Sequence, residues 1–291
     1  MAVNNLQLIR VSENRRFLVK EDGTPFFWLG DTAWELFHRL NQEDAEHYLK
    51  TRSQQGFTVV QAVALAEFDG IRTGNAYERK PLLKNKSGEY DPRLPDISPN
   101  ADEYDYWDHV DFIIKKAAKY GLYIGLLPTW GDKFNKLWGK GPNTFNKDNA
   151  YEYGKWLGER YKNYTNIIWV LGGDRPLLTS HHFAIVNAMA AGLKEGDQGK
   201  HIMTFHPTGG HSSSYHVHDE NWLDFNMIQS GHGRLNTENY KMVTDDYNRL
   251  PTKPTFDAEP CYEDHPIGFK AMNGYFDAVD VRKAAYWAVF A

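Results

Sequence analysis

The residues best suited to chemistry are acids placed directly behind short apolar runs. Ile167-Ile168-Trp169-Val170-Leu171 leads into Gly172-Gly173-Asp174-Arg175-Pro176, and Thr255-Phe256-Asp257-Ala258 leads into Glu259-Pro260. The glycines let a backbone crowd a pocket that Asp174 enters. Two carboxyl groups facing each other across a cleft suit cleavage of a glycosidic bond. One protonates the leaving oxygen, and the other attacks the anomeric carbon or activates water. Burial and mutual repulsion then raise one pKa and leave the other group ionised. An acid behind a strand also caps the next helix or pairs with a neighbouring cation, here Arg175, so a structural reading stands beside the catalytic one.

Other polar residues fall at comparable positions. Asp31, before Thr32-Ala33-Trp34, suits sugar hydroxyls or the N-cap of a short helix, and Trp34 is grouped with it as substrate-binding. Glu67 is a substrate contact or a solvated acid. Thr129-Trp130-Gly131-Asp132 sets a ring beside an acid, a subsite floor with a hydroxyl acceptor. His206 and His232 suit hydroxyl hydrogen bonds or the orienting of a carboxylate, against the alternative of buried rings satisfied by backbone. Trp28 and Trp169 lie inside strands and read as core. A rival chemistry starts from the His206–His232 region, where His216-Val217-His218 is an H-x-H that could hold a divalent metal in a hydrolase. It sits in the Ser-rich loop His211 to Glu220 and not at a strand end, so ligation is the weaker reading and no cofactor is expected. G-x-S-x-G is absent and Cys261 has no activating partner in sequence, which disfavours covalent hydrolysis through Ser or Cys.

Positioning these groups requires a repeating scaffold. Candidate strands are Pro25 to Gly30, Thr58 to Ala64, Leu122 to Leu127, Asn166 to Leu171, Ile202 to Phe205, Phe225 to Ile228 and Pro254 to Asp257. Their almost wholly apolar character marks strands covered on both faces. Amphipathic helices alternate with them: Asn41 as N-cap with Asp44 three residues on, ending at Gly56; Trp107, Val110, Ile114 and Ala117 ahead of Gly121; Tyr153, Leu157, Tyr161 and Tyr164; Phe183, Val186, Ala190 and Leu193 ahead of Gly196; and Ala278 to Ala291. The alternation predicts an α/β fold, a (β/α)8 TIM barrel, with a lead-in β-hairpin over about residues 6–24. A Rossmann sheet is disfavoured, since Leu29-Gly30-Asp31-Thr32-Ala33 is not G-x-G-x-x-G. Only seven strands are counted, so the barrel is expected to lack its eighth strand in this chain through truncation or a misassigned strand. Leu65 to Asp105 reads as one long irregular stretch, a lid, a subsite wall or a surface insertion on the catalytic face.

Composition fits this reading. The 291 residues form one expected domain, with 41% hydrophobic and 24% charged residues and a formal charge of −5, leaving no basic surplus for nucleic acid. Aromatics at 14% suit sugar faces as well as core. One cysteine excludes an internal disulfide and a multi-Cys zinc site. No run approaches the ~18 apolar residues of a membrane span, so no membrane partner is expected, and Met1 to Arg10 holds no signal-peptide core.

The runs Pro25 to Trp34, Trp169 to Asp174, Trp222 to His232 and Asp257 to Pro260 resemble, in this order and over nearly the whole chain, glycoside hydrolase family 140. That family is related to the apiosidases and to proteins labelled endoglucanase or collagen-binding. The resemblance implies a (β/α)8 barrel and retaining hydrolysis, with the Asp after the fourth strand as acid/base and the Glu after the seventh as nucleophile. By position these are Asp174 and Glu259. It also implies a carbohydrate substrate, with apiose-containing pectin side chains leading, exo-action, and a secreted or periplasmic location. The wider group of related barrels places Asn-Glu where Gly173-Asp174 stands here. The alternatives are a carbohydrate-binding barrel without catalysis and the metal-dependent hydrolase.

Overall fold

The computed structural model describes residues 6–100 and 102–291, so the first five residues of the stretch read for an export signal lie outside it. Three short strands come first: β1 (Ile9–Val11), β2 (Leu18–Lys20) and β3 (Pro25–Phe26). There follow β4 (Gly30–Thr32), α1 (Leu36–Arg39), α2 (Gln42–Gln54), β5 (Val59–Val63), β6 (Leu82–Lys84), β7 (Tyr90–Pro95), α3 (Tyr106–Lys119) and β8 (Tyr123–Leu127). The second half runs α4 (Lys147–Tyr161), β9 (Ile167–Gly172), α5 (Ser180–Gly196), β10 (Met203–His206), β11 (His211–Ser212), α6 (Ser214–Val217), β12 (Asn226–Gln229), α7 (Asn239–Tyr247), β13 (Thr255–Asp257) and α8 (Ala278–Val289).

Strands β4, β5, β8, β9 and β10 pair in parallel, and β12 pairs in parallel with β13. Asp224 joins the two arcs: its amide donates to Met203 O at 2.9 Å and its carboxylate accepts from Met203 N at 2.7 Å. Thr204 Oγ1 adds a bond to Phe225 O at 2.7 Å. Among the described residues, seven strands alternating with helices make the predicted (β/α)8-type barrel. Every residue of β5, β8 and β9 is buried, as strands covered on both faces must be.

The opening strands form a three-stranded cap, one strand more than the predicted hairpin. Ile9, Leu18 and Phe26 pack on Val59, Tyr123, Ile168, Ile202 and Phe225. Those five stand at or just before the starts of central strands, so the cap plugs the N-terminal end and leaves the C-terminal mouth open. The apolar run Pro25 to Gly30 is not the first barrel strand: Phe26 pairs with Leu18 in the cap, and the barrel begins at Gly30, beside Val59. Between the two pieces Trp28 folds into the barrel against Phe225 and Phe256, with ring centroids 5.9 and 4.7 Å away. Gly30 admits that ring, since a Cβ there would lie 2.5 Å from Trp28 Nε1.

Helix ends follow the local chemistry. Asn41 Oδ1 accepts from Asp44 N at 2.9 Å, and Gly56 leaves α2 at φ +87°. Asp105 and Asp108 close a capping box at α3. Two features escaped the sequence reading. The stretch Leu65 to Asp105 contains the antiparallel pair β6–β7, turned at Asn85, whose Oδ1 accepts from Ser87 N and Glu89 N. Pro92 and Pro95 fall within β7, an edge strand, where proline is tolerated. Helix α7 also lacked an apolar stripe broad enough to notice, with Val243 its one buried aliphatic side chain. Among the described residues no helix is long and apolar enough to cross a membrane.

Candidate active site

At the open mouth, loops after the strands enclose a cleft of about 1100 Å³. Trp34, Glu67, Trp130, Asp174, His232 and Glu259, all expected there, line it. His206 lies beneath, fully buried, and Asp31 and Asp132 face elsewhere.

Asp174 is delivered by a turn that requires the two glycines before it. Gly172, Gly173 and Asp174 have φ of +90°, +108° and +52°, three successive residues in left-handed backbone. A Cβ on Gly172 would come 2.4 Å from His206 O, and one on Gly173 2.8 Å from Gly131 N. Aspartate is among the few other residues that tolerate this conformation. The Asp174 amide donates to His206 Nδ1 at 3.2 Å, which places the imidazole proton on Nε2. That nitrogen lies 2.6 Å from Glu259 Oε2. One ring therefore separates the backbone of one acid from the carboxylate of the other.

Glu259 is buried, yet three neighbours favour its charged form. Tyr262 donates its hydroxyl to Oε1 at 2.5 Å, His232 Nε2 is 3.4 Å from Oε1, and His206 serves Oε2. Burial alone would raise the pKa, but these contacts outweigh it and hold the group at about 2. Tyr262 is itself oriented by Trp34 Nε1 at 3.1 Å. Asp174 moves the other way: burial raises its pKa and the charge on Glu259 adds to this, against opposition from His206 and Arg175. The two acids are thus shifted in opposite directions in one cleft.

Arg175, fully buried, does not neutralise Asp174 closely. Its NH1 reaches the Asp174 carbonyl at 2.8 Å and the carboxylate only at 3.4 Å, while NH2 bonds Glu67 Oε1 at 2.9 Å. Its guanidinium also stacks on Trp138, 4.1 Å from the ring centroid. Glu67, expected as substrate contact or solvated, is a half-buried ion-pair partner on the cleft wall, its pKa raised by burial.

Two expectations need correction. Asp31 does not bind in the cleft; it accepts from Tyr48 at 2.5 Å and pairs with Arg52, both on α2. Asp132 is not a subsite acceptor; it is fully buried, paired with Lys133 at 2.6 Å, and accepts from Phe68 N at 3.0 Å. His206, read for sugar hydroxyls or for orienting a carboxylate, is fully buried beneath the cleft and takes the second role, against Glu259. The histidine loop is dispersed: His218 is buried between Asn226 and Pro251, whereas His216 packs among Phe183, Phe205 and Tyr215. Among the described residues no three His, Cys, Asp or Glu side chains are grouped to hold a metal ion. Sequence reasoning missed Tyr262, Trp138, His265 and Phe269, which also line the cleft. Tyr262, three residues past Glu259, was the one a search for hydroxyls near the acid could have found.

A parallel β/α barrel with two differently poised acids over its C-terminal mouth has the arrangement that cleavage of a glycosidic bond requires. More narrowly, the chain belongs to the family described as Apiosidase-like, catalytic domain, whose model matches residues 12–291. It is similar to a glycoside hydrolase family 5 protein from Bacteroides vulgatus ATCC 8482, at 36% identity and TM-score 0.82 over 99% of this chain and 60% of that one. A second solved glycoside hydrolase shares 37% identity and TM-score 0.81 over 98% of this chain and 63% of that one. This chain thus spans under two thirds of either. The endo-1,4-beta-mannanase of Rhizomucor miehei, at 12% identity and TM-score 0.63 over 98% and 99% of the two chains, shares the fold. None of the curated proteins matches the chain.

Proposed function

We propose that this barrel is the catalytic unit of a retaining glycoside hydrolase, with Glu259 as nucleophile and Asp174 as acid/base. The observation that carries the reading is the opposite shift of the two acids about one imidazole: Glu259 held ionised at about 2, and Asp174 raised by burial and by the charge on Glu259. Ionised Glu259 attacks the anomeric carbon as Asp174 gives its proton to the leaving oxygen. A glycosyl ester on Glu259 results, and the aglycone departs as an alcohol. Asp174, now a carboxylate, takes a proton from water, whose oxygen attacks the same carbon and frees Glu259. His206, His232 and Tyr262 hold the nucleophile's two oxygens, and Trp34 and Trp130 offer ring faces to the sugar.

Family membership supports a side-chain glycan as substrate, and apiose-bearing pectin cleaved in exo fashion from a secreted or periplasmic location is our choice. The test is a leaving-group series. Asp174→Ala slows poor leaving groups far more than activated aryl glycosides, and azide restores part of the rate by attacking the glycosyl-enzyme. Glu259→Gln drops kcat by about 10⁴-fold or more with the fold intact. Equal loss on every leaving group after Asp174→Ala removes the acid/base role.

A further inference from the structure

A second cavity of about 330 Å³ adjoins the cleft and shares Glu67 with it. Glu35, His38, Phe68, Asp69 and Thr73 are among its lining residues. Its rim residue Phe68 is held in a conformation it would not choose. Phe68 has φ +55°, a genuine outlier for a bulky side chain, and the residue is 43% exposed. The strain is imposed from beneath by the buried ion pair described above: Asp132 accepts from Phe68 N at 3.0 Å and Lys133 Nζ donates to Phe68 O at 3.2 Å. A chain that spends a buried charge pair on keeping an aromatic ring strained and exposed beside a cleft points to a use for that ring.

The polar wall bears on which sugar fits. His38 Nδ1 and Asn75 Nδ2 have no partner among the described residues, but both atoms lie beneath the surface, so neither is offered to a ligand. The lining acids are each paired, Glu35 with Arg39, Glu67 with Arg175 and Asp69 with Arg72. Arg39 is the one arginine or lysine in the lining, so no free cation meets a carboxylated sugar.

We propose that this cavity is a second carbohydrate subsite, in which the ring of Phe68 stacks on a neutral sugar residue of the same glycan whose neighbouring unit occupies the cleft. The inference rests on the glycosidase reading. Glycine adopts φ +55° freely, so Phe68→Gly removes the ring and relieves the strain together, and its melting temperature stays equal to or above that of the native protein. Glu259→Gln protein, with and without Phe68→Gly, is titrated calorimetrically with monosaccharides and with neutral and uronate-rich oligosaccharides from a pectin hydrolysate.

The expected result is preferential binding of the neutral oligosaccharides. The ratio of their affinity to that of monosaccharides falls at least tenfold on adding Phe68→Gly. An unchanged ratio overturns the subsite and leaves the hydrolase standing. Preference for the uronate-rich fraction overturns the neutral assignment. No binding of any fraction by the Glu259→Gln parent overturns the subsite, and an inert native protein in the leaving-group series then removes the proposed function with it.

Discussion

In sequence Asp31 and Asp132 look like Asp174 and Glu259, acids just past an apolar strand, yet they do different work, and Asp31 lies beside Val60 near the cap end of the barrel. Asp31 is turned toward α2, where Arg52 and Tyr48 hold it. Asp132 is sealed against Lys133. In both cases a cation close to the acid takes up the charge. Asp174 has an adjacent arginine as well, but Arg175 spends its shorter bonds on Glu67 and on a carbonyl. Glu259 meets donors that are mainly imidazole and phenol. A strand end supplies a location; the nearest full cation decides whether the acid becomes a fixed structural charge or remains available to react.

The contrast breaks most visibly at Lys133. Replacing it with Met leaves the Asp132 carboxylate buried and uncompensated, a loss of about 3–5 kcal/mol, or roughly 10 °C in melting temperature at this chain length. Changing Asp132 to Leu in the same protein recovers much of the loss, because a buried pair is replaceable by well-packed apolar groups. Thermal unfolding of the single and double variants measures both numbers. A Lys133→Met protein of native stability would move Asp132 out of the structural group.

Tyr262→Phe probes the other group. Removing the hydroxyl takes one donor from Glu259, so its pKa climbs from about 2 toward the ordinary carboxylate range. The nucleophile must be ionised, so the acidic limb of kcat/KM moves to higher pH, by about one unit. Linkage runs in the same direction. A depressed folded pKa contributes stability that is complete above the unfolded glutamate value of about 4.3 and is lost as pH falls toward the folded one. The variant is therefore less stable at neutral pH, and its stability falls less steeply between pH 4 and 2. A pH–rate profile with an unmoved acidic limb would assign the tyrosine to packing.

The sequence made the scaffold more legible than the site. Runs such as Val59–Val63 and Ile167–Gly172 are apolar because both faces are covered, and that signal is local. Asp174 and Glu259 were visible because each directly follows such a run. What stayed hidden depends on distance in the chain: Arg52 reaching Asp31, Trp34 orienting Tyr262 across the mouth, and the cap borrowing Pro25–Phe26 from an apparently single apolar run. Asp132 illustrates the limit. Its partner Lys133 is the next residue, yet nothing in the pair of letters says that both will be fully buried.

The smallest effect is expected at Asp31, and it makes the sharpest comparison because the residue looks so much like a site acid in sequence. Asp31→Asn keeps the shape and a hydrogen-bond acceptor for Tyr48 but removes the charge that faces Arg52. The pair is partly open to solvent, with side chains 21% and 32% exposed. Screening therefore limits the loss to about 1 kcal/mol. No cleft-lining group touches the Asp31 carboxylate, so kcat/KM stays within about twofold of native on every leaving group while the melting temperature drops by a few degrees. Parallel measurement of the two quantities decides the matter. A tenfold fall in kcat/KM at unchanged stability would place Asp31 with Asp174 and Glu259, and a neighbouring cation would then no longer mark the structural acids.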